Sequence, residues 1–189
     1  KRIGVLTGGG DSAGINACIR AIVRRAEKDG IEVVGFKDGW RGLLEDEAIT
    51  LTLDSVSGIL PQGGTILGTS RTNPFRKVQK DGETVWEPTE KVDRILANLK
   101  KRAIDALIAI GGDDTLGVAW RLNEHYGVNV VGIPQTIDND VAGTDYCLGA
   151  HSALAVVTEA LDRLHTTAQS HHRVFVVEVM GRDSGWIAL

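Results

Sequence analysis

Short runs of apolar residues alternate along the chain with longer segments whose apolar residues recur at helical spacing. The apolar runs predict strands at 3–6, 31–36, 104–110, 128–133 and 174–177, several of them apolar on both faces. The helical spacing predicts helices at 15–26, 88–102, 115–125 and 154–164. Alternation of this kind is typical of a parallel sheet covered by helices. We therefore predict a doubly wound α/β fold, with a mostly parallel sheet and helices on both faces.

Glycine-rich and polar segments connect these elements. Residues 37–71 are rich in glycine and include a strand-like stretch at 49–53. Residues 72–87 are polar and contain the turn signals Asn73-Pro74 and Asp81-Gly82, which predict an exposed loop or hairpin. Pro88 is predicted to open the next helix, because proline is favoured in a first helical turn.

The composition narrows the possible partners and the compartment. Of the 189 residues, 42% are hydrophobic and 24% charged, and the formal net charge is −4. We therefore expect no nucleic-acid surface and no anionic membrane partner, and no apolar run approaches the ~20 residues that span a bilayer. Cys18 and Cys147 lie far apart among small or apolar residues, which predicts buried free thiols. These features favour a cytoplasmic location.

The first of three candidate ligand segments is the glycine loop at 8–14. Ligands of open α/β sheets bind outside the carboxyl ends of strands, and glycines at a helix start let the backbone approach an anion. The loop is not a P-loop, because no Gly-Lys-Ser/Thr follows, and it is a poor dinucleotide fingerprint, because no acidic residue ends the next strand. A plain turn capped by Asp11 or Ser12 is the alternative.

The second segment, at 111–115, contains two adjacent carboxylates. The negative charges of Asp113 and Asp114 would repel a phosphate group unless a cation is present. Mg²⁺ bridging phosphate oxygens, held by one or two carboxylates and water, would supply that cation. In the alternative interpretation, Asp114 or Thr115 caps the helix and Asp113 is a turn residue.

The third segment, at 134–140, crowds polar side chains just after a strand. A carboxylate here could accept the proton of an attacking hydroxyl group in phosphoryl transfer. An Asx-rich turn is the alternative, and it is the better interpretation of Thr-x-Asp-x-Asp taken alone.

Arginines suited to phosphate binding stand near further turns. Arg71 lies in the polar turn at 68–72, and Arg173 and Arg182 flank the last predicted strand. The alternative for each is a solvated surface charge. The histidines lack metal-ligand spacing and the tryptophans are scattered, so we expect both to be structural or surface residues.

Taken together and in this order, the segments resemble the phosphofructokinase family. The resemblance rests on 3–11, 136–140 and 177–182, with further family-like stretches at 143–146 and 162–165, and it covers nearly the whole chain. It implies a phosphofructokinase-like fold in a cytoplasmic homo-oligomer, a dimer or tetramer. It also implies a glycolytic enzyme that uses Mg²⁺ to phosphorylate the 1-hydroxyl group of fructose 6-phosphate, giving fructose 1,6-bisphosphate.

On the acceptor side, the resemblance implies that Asp138 takes the proton from the sugar's 1-hydroxyl group. Thr136 and Asp140 would line the same pocket, Thr136 close enough to take part in catalysis. The remaining sugar-phosphate contacts implied are Met180, Gly181, Arg182 and Arg173, the last corresponding to an arginine that reaches a neighbouring subunit's sugar phosphate in bacterial oligomers.

On the donor side, Gly9 would let the backbone reach the donor phosphate, Arg71 would stabilise the phosphates in transfer, and Asp113 would help to hold Mg²⁺. The family's other sugar-phosphate ligands belong to a C-terminal half that this sequence lacks. We therefore expect a truncated fold, with donor and Mg²⁺ binding in residues 1–135 and the start of the sugar-phosphate part in 136–189. The 189-residue chain alone is expected to be inactive.

Two residues bear on the identity of the donor. ATP-using members commonly carry glycine where this chain has Asp114, whose bulk and charge would oppose the α-phosphate of a nucleotide. Asp114 therefore resembles the pyrophosphate-dependent branch, as do residues 39–42 and 115–119. That branch usually carries lysine at the position of Gln135, and many ATP users carry glycine there. Pyrophosphate is the favoured donor, and ATP is the alternative.

Two other hypotheses stay open from the sequence. The first is a related Gly-Gly-Asp-Gly-Thr kinase that phosphorylates NAD or lipids, which the segments 136–140 and 180–182 argue against. The second is a non-catalytic sensor of phosphorylated ligands on the same scaffold, which the presence of Asp138 argues against.

Overall fold

A six-stranded sheet forms the centre of the computed structural model, which describes all 189 residues. In chain order, the elements are β1 (Arg2–Thr7), α1 (Ile15–Lys28), β2 (Glu32–Phe36), α2 (Trp40–Glu45), β3 (Ala48–Leu51), β4 (Phe75–Lys80), β5 (Glu83–Pro88), α3 (Glu90–Lys101), β6 (Ala106–Gly111), α4 (Asp113–Tyr126), β7 (Val130–Thr136), β8 (Leu148–Gly149) and α5 (Ala150–His171). The sheet has the order β3-β2-β1-β6-β7-β8, and β4 and β5 form a separate pair.

All neighbours in the sheet are parallel except β2 and β3. Ile3 in β1 pairs with Val33 in β2 on one side and with Ala106 in β6 on the other. The strand order reverses at β1, because the chain first builds outward to β3 and then returns to add β6 on the opposite side. The predicted doubly wound, mostly parallel α/β fold is confirmed.

Helices cover both faces of the sheet because neighbouring side chains of each buried strand point to opposite sides. Val5 in β1 belongs to a core cluster with the apolar side of α1, whereas Leu6 belongs to a second cluster with α2, α3 and α4. Both side chains are fully buried. The apolar runs of β1, β2 and β6 therefore correspond to strands packed on two sides, as expected, whereas Val131 in β7 is 58% exposed.

The segment between β3 and α3 contains the predicted hairpin. Strands β4 and β5 are antiparallel, and Lys80 pairs with Glu83 across the turn. Asp81 and Gly82 both have positive φ, 51° and 83°. Two successive residues of this kind suit the tight turns whose twist matches that of a hairpin.

One predicted helix start and one predicted strand are wrong. Pro88 ends β5 instead of opening α3, whose N-cap is Thr89 with a side-chain oxygen that accepts from Lys91 N at 3.4 Å. The apolar stretch 174–177 forms no strand, and Val174 and Val176 are 93% and 96% exposed. A strand needs a hydrogen-bonding neighbour, and no strand of the sheet pairs with this stretch.

The last helix packs loosely. Of the 22 residues of α5, only Ala150 is buried, so the predicted helix is confirmed but most of its surface faces solvent. The helix is also longer than the apolar pattern at 154–164 indicated. No helix of the chain combines the length and the apolar content that a membrane crossing requires.

Both cysteines are free, as predicted. Cys147 is buried, but Cys18 is only partly buried, so the prediction of full burial is wrong for Cys18. Desolvation nevertheless raises the pKa of the Cys18 thiol, because a thiolate is disfavoured away from water.

We predict that Gly42→Ala destabilises the protein by about 3 kcal/mol, the upper part of the usual range for overpacking. A Cβ on Gly42 would lie 1.9 Å from Lys37 O, and that backbone is fixed by the bond from Lys37 N to Glu47 O. Chemical denaturation of the two proteins measures the difference. Gly63→Ala is the matched control, because a Cβ there meets nothing within 4 Å. Equal stability of both variants would contradict the prediction.

Candidate functional site

The three candidate ligand segments meet at one edge of the sheet. They follow β1, β6 and β7, which are adjacent parallel strands, so their carboxyl ends lie side by side. Gly8 N donates to Ile110 O at 2.9 Å. A Cβ on Gly8 would lie 2.6 Å from Thr115 Oγ1. The glycine loop (8–14) therefore packs directly against the start of α4, and glycine is required at this contact.

The turn that contains Arg71 lies beside the same loop. Thr69 Oγ1 donates to Gly9 O at 2.5 Å, and Gly9 N donates to Ser70 O at 3.4 Å. Ser70 Oγ donates in turn to Asp38 O at 2.6 Å. These bonds hold the backbone that leads into Arg71 next to Gly9. Arg71 itself is exposed and forms no ion pair, so its guanidinium group is free for a ligand.

Asp113 and Asp114 form the first turn of α4, and both are exposed. The N-cap is Gly112, which offers no side-chain cap. The alternative in which Asp114 or Thr115 caps the helix is therefore wrong, because both lie inside it. Two carboxylates at a helix N-terminus are favoured by the helix dipole. They lie at the sheet edge where the glycine loop begins.

Arg121, further along α4, packs against aromatic rings. Its guanidinium carbon lies 4.5 Å from the Trp86 ring centroid and 5.7 Å from that of Phe75. Burial lowers the pKa of Arg121, and the negative charge of Asp114 acts in the opposite direction. Arg121 thus attaches the β4–β5 hairpin to α4 and forms no salt bridge with Asp114.

At the end of β7, Thr136 and Asp138 form a tight turn in which Asp138 N donates to Thr136 Oγ1 at 3.1 Å. The Asp138 side chain is only 13% exposed. Asn139, with φ 51°, donates from Nδ2 to Asp145 O at 3.2 Å and accepts from Cys147 N at 2.8 Å. Asn139 therefore has a structural role, whereas Asp140 is exposed and unpaired.

The segment 180–184 lies against this turn. Arg182 Nε lies 3.6 Å from Asp138 Oδ2. Ser184 Oγ lies 2.6 Å from Asp138 O and 2.8 Å from Gly181 O, and it can donate to one of them at a time. Two predicted ligands from distant parts of the sequence, Asp138 and Arg182, are thus in contact.

Gln135 lies at the end of β7 and is buried. Its Nε2 donates to Ser12 Oγ in the glycine loop at 2.8 Å. The sequence suggested a neutral residue facing the donor, and the structure brings Gln135 into contact with the loop that would hold that donor.

Other predicted site residues remain apart. Arg173 is exposed directly after α5, where its backbone N donates to Ala168 O at 3.0 Å, and its side chain forms no ion pair. Met180 is 75% exposed. No group of three or more His, Cys, Asp or Glu side chains in the chain could hold a metal ion on its own.

Sequence reasoning missed two supporting residues, Ser184 and Thr69. Both are small hydroxyl residues in glycine-containing turns, and both bond to the backbone of a predicted ligand segment. The signal was present, because Ser and Thr in such turns commonly bond to nearby backbone, but the partners are distant in sequence.

A doubly wound sheet with a glycine loop, an arginine and carboxylates at one edge is an arrangement typical of α/β proteins that bind phosphorylated ligands. Comparison with known proteins narrows this class. The family described as Phosphofructokinase matches residues 2–189, and the chain belongs to that family.

Among the similar curated proteins, some are named as pyrophosphate-dependent and others as ATP-dependent. A pyrophosphate–fructose 6-phosphate 1-phosphotransferase of Streptomyces coelicolor is 56% identical over 189 residues, covering 100% of this chain and 52% of that protein. The ATP-dependent 6-phosphofructokinase 3 of the same organism is 53% identical with the same coverage. The chain thus spans about half the length of these relatives, and identity alone does not separate the donors.

Solved structures of similar fold agree with this assignment. Phosphofructokinase from Saccharomyces cerevisiae superimposes with a TM-score of 0.83 at 36% identity, covering 100% of this chain and 27% of that one. A pyrophosphate-dependent phosphofructokinase from Marinobacter aquaeolei gives a TM-score of 0.81 at 26% identity, covering 100% of this chain and 48% of that one.

Proposed function

We propose that the full-length protein carrying this chain transfers a phosphoryl group from pyrophosphate to the 1-hydroxyl group of fructose 6-phosphate. The products are fructose 1,6-bisphosphate and phosphate. The observation that carries the proposal is the meeting, at one sheet edge, of the glycine loop, the carboxylates of α4 and the largely buried Asp138. Donor and acceptor can thus be held side by side, which is most of what phosphoryl transfer requires.

Asp138 is the proposed general base. Its carboxylate would accept the proton as the 1-hydroxyl oxygen attacks the phosphorus atom and the bond to the leaving phosphate breaks. The turn formed with Thr136 Oγ1 and the bond from Ser184 Oγ hold its backbone in place. Arg182 lies 3.6 Å from this carboxylate, close enough for its guanidinium group to bind the sugar phosphate in the same pocket.

Residues around the glycine loop would bind the donor. Gly9 and Gly10 leave the backbone open to an anion, and Arg71 would neutralise charge on the group in transfer. Asp140 would line the acceptor pocket, and Met180, Gly181 and Arg173 would add sugar-phosphate contacts. For Arg173, we propose that the sugar phosphate belongs to a neighbouring subunit in a cytoplasmic homo-oligomer, a dimer or tetramer.

The residues present fit Mg²⁺. Asp113 is exposed at the sheet edge without a second protein ligand, and Mg²⁺ characteristically binds through one or two carboxylates, water and substrate phosphates. Asp113 would hold the ion, and the ion would neutralise charge on the phosphate oxygens. We place donor and Mg²⁺ binding in residues 1–135 and the start of the sugar-phosphate part in 136–189.

Asp114 favours pyrophosphate over ATP. Its carboxylate is exposed at the start of α4 and has no salt-bridge partner, so its charge would oppose the α-phosphate of a nucleotide. ATP is the second candidate donor, because Gln135 supplies no positive charge for pyrophosphate and a relative named as ATP-dependent is 53% identical.

The proposal is tested on the full-length protein with fructose 6-phosphate and Mg²⁺. Formation of fructose 1,6-bisphosphate is measured in parallel with pyrophosphate and with ATP. Release of inorganic phosphate in reactions without fructose 6-phosphate gives the background hydrolysis. We expect turnover with pyrophosphate to exceed turnover with ATP. Turnover with ATP alone would overturn the donor assignment, and no turnover with either would overturn the function.

A further inference from the structure

A buried hydrogen bond connects β7 to the glycine loop. Gln135 Nε2 donates to Ser12 Oγ at 2.8 Å, and the two residues are only 3% and 8% exposed. The hydroxyl proton of Ser12 has two carbonyl acceptors within reach, Ala13 O at 3.2 Å and Leu148 O at 3.4 Å. The amide donor of Gln135 and the hydroxyl group of Ser12 therefore satisfy one another away from water.

Ser12 is tightly enclosed where this bond forms. A Cβ on Gly149 would lie 2.4 Å from Ser12 Oγ and 2.6 Å from Ser12 Cβ. The loop therefore sits against the end of β8 as well as that of β7. Gly149 has φ 100°, a conformation that itself favours glycine. Close packing leaves the Ser12 side chain little freedom, so the bond has a defined geometry.

The same loop carries the amides that face the donor. Gly9 and Gly10 precede Ser12 without intervening regular structure, and a Cβ on Gly10 would meet no atom within 4 Å. On one side, the loop is held through Gly9 by Thr69 and Ser70. On the other side, the loop is attached to the sheet through the Ser12 side chain, which accepts from Gln135 Nε2 and can donate to Leu148 O in β8. Loss of the bond from Gln135 would let the loop shift relative to β7.

We propose that Gln135 is a positioning residue that acts through Ser12, and that this pair fixes the glycine loop where its amides bind the donor phosphate. The inference rests on the proposed function, since it assumes that the loop binds pyrophosphate or ATP. A charged side chain at 135 would act on the donor directly, whereas the neutral Gln135 supplies rigidity to the loop. Donor affinity then depends on two residues that do not themselves touch the donor.

The test compares Gln135→Met, Ser12→Ala and the double variant in the full-length protein. Calorimetry gives the Kd for pyrophosphate and for ATP with Mg²⁺, and kinetics give the KM for donor and for fructose 6-phosphate. Each single variant should raise the donor Kd about tenfold, because one buried polar group loses its partner. The KM for fructose 6-phosphate should stay within about twofold. The donor Kd of the double variant should not exceed that of the single variant with the higher Kd, because either substitution alone already removes the shared bond.

Conservative replacement supplies a second readout. Ser12→Cys keeps a side chain of similar shape with a weak acceptor, so its donor Kd should lie between those of the parent protein and Ser12→Ala. A purely structural role would lower the melting temperature of the variants and leave both donor Kd values unchanged, which would overturn the inference. Weaker donor binding in Gln135→Met but not in Ser12→Ala would overturn it too, because Gln135 would then contact the donor itself.

Failure of the proposed function gives a different pattern. If the parent protein binds pyrophosphate or ATP but forms no fructose 1,6-bisphosphate, the proposed reaction is wrong, and the donor Kd values of the variants still decide the role of the pair. If the parent protein binds neither donor, the loop is not a donor site and both proposals are wrong.

Discussion

Asp138→Asn in the full-length protein is expected to lower kcat for fructose 1,6-bisphosphate formation by about 10²- to 10⁴-fold, the usual contribution of a general base. The substitution preserves side-chain size but leaves an amide that cannot take the proton of the 1-hydroxyl group. Steady-state kinetics with saturating donor and sugar phosphate measure the effect. Calorimetry should show that fructose 6-phosphate still binds, since Arg182 and the surrounding turn remain.

Asp145→Asn is the matched control for this result. Asp145 is exposed in the loop after Asn139, and it contacts Asn139 through its backbone oxygen only. The control should retain the parent kcat. A kcat of Asp138→Asn above a tenth of the parent value would contradict the role of Asp138 as base. A protein that binds both ligands but shows no turnover before any substitution would instead be the non-catalytic sensor.

Asp114→Gly is expected to raise kcat/KM with ATP by about 100-fold. Two unit charges 4 Å apart repel by about 4 kcal/mol at an effective dielectric constant of 20. Neighbouring Mg²⁺ and water screen part of this repulsion. The stated factor corresponds to about 2.8 kcal/mol, roughly two thirds of the unscreened value. Glycine also removes the side chain that would occupy the space of the α-phosphate. Parallel kinetics with ATP and pyrophosphate measure the shift in preference.

Two further variants separate charge from bulk and from helix stability. Asp114→Asn removes the charge and keeps the size, so it should give an intermediate gain with ATP. Glu124→Gly places glycine in the exposed surface of the same helix, away from the sheet edge, and should leave the ratio of ATP to pyrophosphate activity unchanged. An unchanged ATP rate in Asp114→Gly would show that Asp114 does not exclude the nucleotide.

Much of the fold was predictable because each buried strand faces helices on two sides. The runs around Val5 and Leu107 are apolar at successive positions, a pattern that is typical of a strand inside a covered parallel sheet. The stretch 174–177 has the same apolar pattern but no pairing strand. An apolar run therefore predicts that a strand can form, while pairing decides whether it does.

The site was predictable as a set of segments but not as a set of contacts. The rule that ligands bind at the carboxyl ends of strands correctly brought the loops after β1, β6 and β7 together. The pairing of Asp138 with Arg182 and that of Gln135 with Ser12 both join residues from separate segments. Single-sequence patterns are local, so they contain no information on which side chains meet across such distances.

The position of β1 in the middle of the sheet determines when the sheet can be completed during synthesis. Ile3 pairs with Val33, which the ribosome adds soon afterwards, but its other neighbour is Ala106. At a synthesis rate of about 5–20 residues per second, on the order of 5–20 s pass between the synthesis of β1 and that of β6, which pairs with its second edge. During that interval the nascent chain exposes an apolar strand edge, and other chains compete with β6 for it.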